Sequence, residues 1–124
     1  MFSIIIPTLN NLKNLTLCIK SLKKNSIFDH EIIVHANIAN DGTLEYLKEN
    51  NIKYTHTKHN SGIPEGVNKA AKLASKNYIV YAHDDFYFFP GWDECFLYEI
   101  KKLPDNLYYL SGTMVQSGIF GNVS

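Results

Sequence analysis

Short apolar runs recur along the chain, and longer amphipathic stretches separate them. Apolar runs of this length, bounded by turn residues, are typical of buried β-strands. We predict strands at residues 2–6, 31–36, 52–55, 78–82 and 107–110, the last resuming at 113–115. Pro7 is expected to end the first strand. The third strand is more polar and is expected towards an edge of the sheet, whereas the fourth is expected to be buried on both faces.

The stretches between the strands show the periodicity of amphipathic helices. The first helix would follow Asn10 or Asn11 as its N-cap, the second would begin at Asp41, the third would follow the turn at 60–64, and the fourth would begin near Pro90. The positions expected to face the sheet are Leu12, Leu15, Ile19 and Leu22, then Leu44 and Leu47, then Val67, Ala70, Ala71 and Ala74, then Trp92, Phe96, Ile100 and Leu103. Strands that alternate with helices imply right-handed βαβ crossovers. The sequence therefore predicts an α/β fold in three layers, a Rossmann-like, mostly parallel sheet flanked by helices.

Composition and charge narrow the class of protein. The chain has 124 residues, the size of one domain, and its 12 acids balance its 12 bases. A protein that binds nucleic acid would normally carry a basic excess. No apolar run is long enough to cross a membrane, and Met1 leads directly into a strand without a basic leader. Because Cys18 and Cys95 are isolated, we expect a cytoplasmic protein whose cysteines serve packing.

Two adjacent carboxylates, Asp84 and Asp85, directly follow the fourth predicted strand. Ligands of open α/β sheets bind at the carboxyl ends of the strands, so one interpretation is that the pair holds a divalent metal beside a nucleotide. The other interpretation is that these acids cap the following turn, as aspartate often does. The chain lacks a GxGxxG turn, and residues 7–10 after the first strand contain no acid. Both facts disfavour a dinucleotide-binding domain and a phosphoacceptor domain.

Several segments, in their order and spacing, resemble the nucleotide-binding half of a family-2 glycosyltransferase of GT-A fold. These segments are Ser3–Asn10, Glu31–Val34, Asp41–Thr43, Asn60–Gly62 with Asn68, His83–Asp85 and Pro90–Trp92. The resemblance covers most of the chain. It implies a nucleoside-diphosphate sugar as donor, a divalent metal (Mn or Mg), a glycan or lipid-linked hydroxyl acceptor, and inversion at the sugar carbon.

The resemblance also assigns roles by position. Nucleotide binding would fall to Pro7, Thr8 and Asn10 after strand one, Asn37 after strand two, Asn60 and Gly62 before the third helix, and Asp84. Asp85 would bind the metal, because a hard cation often takes only one or two protein carboxylates together with substrate phosphates. The turn at 60–64 would bring an anion-binding helix N-terminus to the same crevice, or would simply cap its helix.

Two features depart from the family. An aspartate that commonly binds the base at the end of strand two is replaced by Ala36. The amide oxygen of Asn37 or a ring nitrogen of His35 could accept the N–H of a pyrimidine instead, provided for Asn37 that the strand has already ended. The family also carries a catalytic carboxylate well beyond the metal-binding acids, and after residue 103 this chain has only Asp105, in a turn. We therefore expect residues 1–124 to form one nucleotide-sugar-binding domain without the acceptor-binding half. It would belong to a truncated transferase, be completed by another chain, or act as a non-catalytic binding or assembly module.

Other candidate sites favour simpler interpretations. His56 and His59 have HxxH spacing, but a three-residue offset on a strand points the two rings apart, which favours surface histidines over a zinc site. The aromatic run at 86–89 and Trp92 could stack a sugar or pack in the core. Any of these aromatics that stay exposed would suit a homodimer contact, or a peripheral contact at the inner face of a membrane.

Overall fold

The structure, a computed structural model, describes residues 1–102 together with two short strands near the end of the chain. In chain order the elements are β1 (Phe2–Leu9), α1 (Leu12–Asn25), β2 (Glu31–Asn37), α2 (Thr43–Glu49), β3 (Lys53–Thr57), α3 (Ile63–Ala71), β4 (Tyr78–Tyr81), α4 (Trp92–Lys101), β5 (Val115–Gln116) and β6 (Ile119–Phe120). The predicted strand at 107–110, together with Leu103 and Asp105, lies outside the described residues. Of the predicted strand at 113–115, only Val115 is described, as part of β5.

Strands β1 to β4 form one parallel sheet in the order β3-β2-β1-β4, and β5 pairs with β6 antiparallel. This arrangement confirms the predicted α/β fold, and β3 lies at an end of the described sheet as its polarity predicted. No helix in this part of the chain combines the length and the apolar character that a membrane crossing requires.

Strand β1 continues through Pro7 to Leu9, so the prediction that Pro7 ends it is wrong. The carbonyl of Ile5 accepts a hydrogen bond from the main-chain N–H of Ala82, on the β4 side of the strand. The main-chain groups of alternate residues point to the same neighbouring strand, so the nitrogen of Pro7 also faces the β4 side. The pairing with β4 has already ended there, at Tyr81. The missing N–H of the proline therefore removes no ladder hydrogen bond.

Both faces of the sheet are covered by helices. On one face, Phe2, Ile4 and Ile6 of β1 belong to the larger apolar cluster, which α1, α2 and α4 complete. On the other face, Ile5 and Ile33 pack against Ala70 of α3. The helix residues of the larger cluster are Leu15, Cys18, Ile19, Leu22 and Leu47, with Trp92, Phe96, Leu97 and Ile100 partly buried against it. The inward faces predicted for α1 and α3 are thus largely confirmed, although Leu12 of α1 is only half-buried. On α2, Leu47 is buried as predicted and Leu44 is half-buried.

Among the described residues, helices cover strand β4 on one face only. Tyr78 and Val80 pack against the larger cluster, whereas Ile79 and Tyr81 are 55% and 42% exposed. The prediction that this strand is buried on both faces is wrong, because α3 packs on β1, β2 and β3.

Helix α3 approaches β2 closely at Gly66. A Cβ at this position would lie 2.4 Å from Cδ2 of His35 and 3.0 Å from its Cγ and Nε2. His35 is fully buried beneath the helix. The absence of a side chain at Gly66 therefore sets the distance between α3 and the sheet.

Glu31 of β2 links β1, β3 and the segment before β4 at the amino end of the sheet. Its carboxylate accepts hydrogen bonds from the hydroxyls of Ser3 (2.7 Å) and Ser75 (2.8 Å) and from the main-chain N–H of Ser75 (2.9 Å), and it pairs with Lys53. Burial alone would raise the pKa of Glu31, but the hydrogen bonds from Lys53, Ser3 and Ser75 outweigh it and lower the pKa to about 2.

Candidate functional site at the carboxyl ends of the strands

Asp84 and Asp85 occupy the centre of a β-turn that directly follows β4. The main-chain N–H of Phe86 donates to the carbonyl of His83 at 3.2 Å and closes this turn, which we call the acid turn (residues 83–86). Asp84 is half-buried and Asp85 is exposed. Within the described part of the chain, neither carboxylate caps a main-chain N–H, so the capping interpretation gains no support.

The fold joins two of the predicted site residues across a long stretch of sequence. The hydroxyl of Thr8, buried at the end of β1, donates to Oδ2 of Asp84 at 2.8 Å. Strands β1 and β4 are paired neighbours, and their side chains alternate between the two faces of the sheet. Thr8 continues the face of Ile4 and Ile6, which is the face of the larger apolar cluster, so the side chains of Thr8 and Asp84 meet at the edge above α1.

Within residues 1–102, the negative charge of the acid turn has no cationic partner. The thiol of Cys18, buried on α1, lies below the turn and donates to the carbonyl of His83 (3.7 Å). Burial, followed by the negative charges of Asp84 and Asp85, raises the pKa of this thiol from 9.0 to about 12. The ion pairs among residues 1–102 include neither aspartate.

The carboxylates of Asp84 and Asp85 are suitable ligands for a hard divalent cation, but two protein ligands are too few to hold one alone. Carboxylate oxygens are the ligands that Mg²⁺ and Mn²⁺ prefer. The described residues contain no group of three or more His, Cys, Asp or Glu side chains that could hold a metal by themselves. A cation at the acid turn would therefore need further oxygen ligands, such as the phosphates of a substrate. The same observation gives the HxxH histidines no support as a zinc site; His56 instead contacts the carbonyl of Ala36 at 2.9 Å.

The loops that follow β1 and β2 are tied to each other. Oδ1 of Asn10 accepts the main-chain N–H of Asn40 at 2.8 Å, and Oδ2 of Asp41 accepts the main-chain N–H of Leu12 at 2.9 Å. Asp41 also accepts the N–H and the hydroxyl of Thr43. Burial alone would raise the pKa of Asp41, but the hydrogen bonds from Thr43 and Leu12 hold it below its usual range.

These contacts correct the predicted caps. Asn11 occupies the N-cap position of α1 as predicted, but its side chain makes no cap hydrogen bond, and Oδ2 of Asp41 from the neighbouring loop accepts the N–H of Leu12 instead. Helix α2 begins at Thr43, with Gly42 at the N-cap position, although Asp41 does bond to its first residue.

Asn37 lies inside β2, so the condition that the strand ends before it is not met. Its amide oxygen accepts the hydroxyls of Thr57 (2.7 Å) and Ser61 (3.0 Å) and lies 3.2 Å from Nε2 of His35. Because an amide oxygen only accepts, Nε2 carries the ring proton, and Nδ1 then accepts from the hydroxyl of Thr55 (2.7 Å). Burial lowers the pKa of His35, which keeps the ring neutral. Both ring nitrogens of His35 thus have partners inside the fold. Binding of the nucleotide base by Asn37 stays a prediction.

The turn before α3 is also built by local hydrogen bonds. Oδ1 of Asn60 accepts the main-chain N–H of Gly62 at 3.0 Å, and Gly62 has φ +84°, a conformation that favours glycine. Ser61 joins this turn to Asn37. The predicted site residues therefore form two groups. Thr8 and Asp84 lie on the α1 face of the sheet, and the turn at 60–62 lies with Asn37 on the α3 face.

The aromatic run divides between core and surface. Phe86, Phe88 and Trp92 pack against the larger cluster, which confirms the core interpretation for these three. Tyr87 and Phe89 are each 56% exposed, and their ring centroids lie 5.5 Å apart.

Sequence inspection missed two residues that shape the site. One is Gly66. A glycine inside a predicted helix could have indicated it, because glycine is unfavourable there unless another part of the chain packs closely against it. The other is Cys18, whose contact with the acid turn depends on how α1 packs.

Comparisons with known proteins agree with this geometry. The family described as "Glycosyl transferase family 2" matches residues 3–123. A search of curated proteins gives no match.

Solved structures of S. aureus TarS are similar to this chain. TarS 1-349 aligns with a TM-score of 0.72 at 27% identity, over 82% of this chain and 32% of the TarS chain. Its complex with UDP-GlcNAc aligns with a TM-score of 0.73 at 27% identity, over 82% and 31% of the two chains. Its complex with UDP gives 0.70 at 26% identity, over 81% and 32%. The chain thus spans about a third of the length of these TarS chains.

Proposed function

The chain belongs to glycosyl transferase family 2, and we propose from this premise that it binds a nucleoside-diphosphate sugar and forms the donor site of a glycosyltransferase. Its α/β sheet is that of the nucleotide-binding half of the GT-A fold. The TarS chains of similar structure hold UDP-GlcNAc and UDP in two of the complexes. These ligands make a uridine diphosphate sugar the first donor to test.

The observation that carries the proposal is the pair of carboxylates at the rim of the sheet without a cationic partner among residues 1–102. Asp84 is held from one side by Thr8 through Oδ2. Its remaining acceptor capacity is suited to the hydroxyls of the ribose or of the donor sugar, because a carboxylate accepts several hydrogen bonds. Asp85 is exposed and would bind Mn²⁺ or Mg²⁺ together with the diphosphate. A cation there would supply Lewis-acid stabilisation for the charge that develops on the leaving nucleoside diphosphate.

The other predicted residues would bind the base and phosphates along the same carboxyl edge of the sheet. Pro7 directly precedes Thr8 in β1, and Asn10 follows the end of this strand, where its hydrogen bond with Asn40 holds the loop after β2. The turn that contains Asn60 and Gly62 presents the N-terminus of α3, whose main-chain N–H groups favour a phosphate. Asn37 supports this turn through Ser61 and would contact the base from the same side.

Transfer to a glycan or lipid-linked hydroxyl needs a base that removes the acceptor proton. We assign this role to no residue of the described part of the chain. Inverting transfer would therefore need a carboxylate from elsewhere. A non-catalytic nucleotide-sugar-binding module is the other function that the same donor site would serve.

Calorimetry with UDP, GDP and UDP-GlcNAc, each with MnCl₂ and with EDTA, tests the donor site. We expect UDP binding that manganese strengthens, and Asp85→Asn should reduce the manganese effect by about tenfold or more, since it removes a charged ligand to the cation. Asp29→Asn is the matched control, because Asp29 is an exposed carboxylate just before the amino end of β2. Equal affinity of wild type and Asp85→Asn for UDP in manganese would refute the metal assignment. Release of sugar from UDP-GlcNAc by the bound complex would then distinguish an enzyme from a binding module.

A further inference from the structure

Helix α1 carries three buried side chains that can form hydrogen bonds, a thiol, a hydroxyl and an amide, on the face that meets residues 83–91. Cys18, Ser21 and Asn25 are 0%, 2% and 8% exposed. Their spacing of three and four residues aligns them along one side of the helix. We call them the α1 clamp, and we call residues 83–91, which connect β4 to α4 and include the acid turn, the acid segment.

Each clamp residue bonds the main chain of the acid segment. The thiol of Cys18 donates to the carbonyl of His83 at 3.7 Å. The hydroxyl of Ser21 accepts the N–H of Phe88 at 2.9 Å and donates to the carbonyl of Cys18 at 2.7 Å. The side-chain amide of Asn25 donates to the carbonyl of Phe88 at 2.7 Å, and the main-chain carbonyl of Asn25 accepts the N–H of Gly91 at 3.1 Å.

The acid segment depends on these contacts because it contains neither helix nor strand. Its first contact point, the carbonyl of His83, is also the acceptor that closes the acid turn. A shift of this carbonyl would therefore reorient Asp84 and Asp85 directly. The thiol below it remains protonated at neutral pH and can donate, since its pKa is raised to about 12.

Packing alone does not explain the polar side chains of Ser21 and Asn25. The remaining buried face of α1 is apolar, with Leu15, Ile19 and Leu22 in the core. Buried polar groups lower stability unless they are hydrogen-bonded, so apolar residues would fill these positions at least as well if packing were the only requirement.

We propose that Cys18, Ser21 and Asn25 are positioning residues that hold the acid turn in the orientation that binds the metal–diphosphate. This inference rests on the proposed donor site and extends it, because the three residues bond the main chain of the acid segment and not the two carboxylates. The clamp acts through the main chain of the acid segment, so it determines the orientation of the carboxylates rather than their charge.

The test compares Cys18→Val and Ser21→Ala, each of which removes a hydrogen-bonding group from the clamp, with Cys18→Ser, which keeps the donor. Ile19→Val is the control, because it removes apolar volume from the same helix without loss of a hydrogen bond to the acid segment. The readout is the ratio of UDP affinities in MnCl₂ and in EDTA, measured by calorimetry on the full 124-residue chain. We expect Cys18→Val and Ser21→Ala to reduce this ratio by about three- to tenfold, the usual effect of one hydrogen bond, and Cys18→Ser to restore it.

Amide hydrogen exchange supplies a second measurement that needs no ligand. In both deletion variants we expect faster exchange in peptides from 83–91 than in wild type, with exchange in β1 unchanged. If the deletion variants lose stability like Ile19→Val but keep the wild-type affinity ratio, the clamp is only structural and the inference is refuted. If wild type itself shows no manganese-dependent binding of UDP, the donor site fails first and the clamp fails with it.

Discussion

Substitution of Gly66 by alanine tests whether close packing of α3 on His35 fixes the α3 side of the site. The added Cβ would lie 2.4 Å from Cδ2 of His35, well inside van der Waals contact. His35 cannot move away easily, because its two ring nitrogens bond to Thr55 and to Asn37.

Two opposing effects decide the outcome for Gly66→Ala. Alanine favours a helix interior over glycine by about 1 kcal/mol. Overpacking of a rigid core typically lowers the free energy of unfolding by about 1–3 kcal/mol, and the fixed ring of His35 puts this site at the upper end. We therefore expect a net loss of about 1–2 kcal/mol, seen as a lower midpoint in urea with an unchanged m-value.

Two further variants isolate the cause of that loss. Asn68→Ala, at an exposed position of α3, measures the effect of helix propensity alone and should be neutral or slightly stabilising. His35→Ala combined with Gly66→Ala should show that the two losses are not additive, because the smaller side chain makes room for the Cβ. An unfolding free energy for Gly66→Ala equal to or above that of wild type would refute the argument from close packing.

Two further predictions concern the opposite ends of the sheet. Thr8→Val removes the hydroxyl that donates to Asp84 while it keeps the shape of the side chain, so manganese-dependent UDP affinity should fall about three- to tenfold in calorimetry; an unchanged affinity would mean that this hydrogen bond does not orient the carboxylate. Glu31 has a pKa lowered from 4.5 to about 2 in the folded chain, so its contribution to stability is present above pH 4.5 and is lost as the pH falls towards 2. Urea unfolding of wild type and Glu31→Gln should therefore differ at pH 6 and converge towards pH 2, and a difference that stays constant over this range would contradict the assigned pKa.

The sequence indicated most of the fold because periodicity is a local property. The apolar runs and the helical spacing identified β1 to β4 and α1 to α4. Thr8 and Asp84 were assigned to one site by the resemblance, and both lie at the carboxyl edge of the same parallel sheet, where they share a hydrogen bond.

The corrections all involve partners distant in sequence. Pro7 looked like a strand end because only the sheet shows that its nitrogen faces a position where β4 has stopped. Asn11 does stand at the N-cap position of α1, but the side-chain acceptor for the first turn is Asp41, which reaches it from another loop. Asn37 looked like part of a loop, and the extent of β2 became clear only from its pairing with Thr57 of β3.

The buried thiol of Cys18 has a consequence for chemical labelling. Alkylating reagents attack the thiolate, and a pKa of about 12 leaves on the order of one molecule in ten thousand in that form at pH 8. Cys95 is exposed on α4 and accessible to the same reagents. A maleimide should therefore modify Cys95 in the folded chain and Cys18 only when α1 separates from the residues above it. The rate of the second modification would report how often the turn that carries Asp84 and Asp85 comes apart.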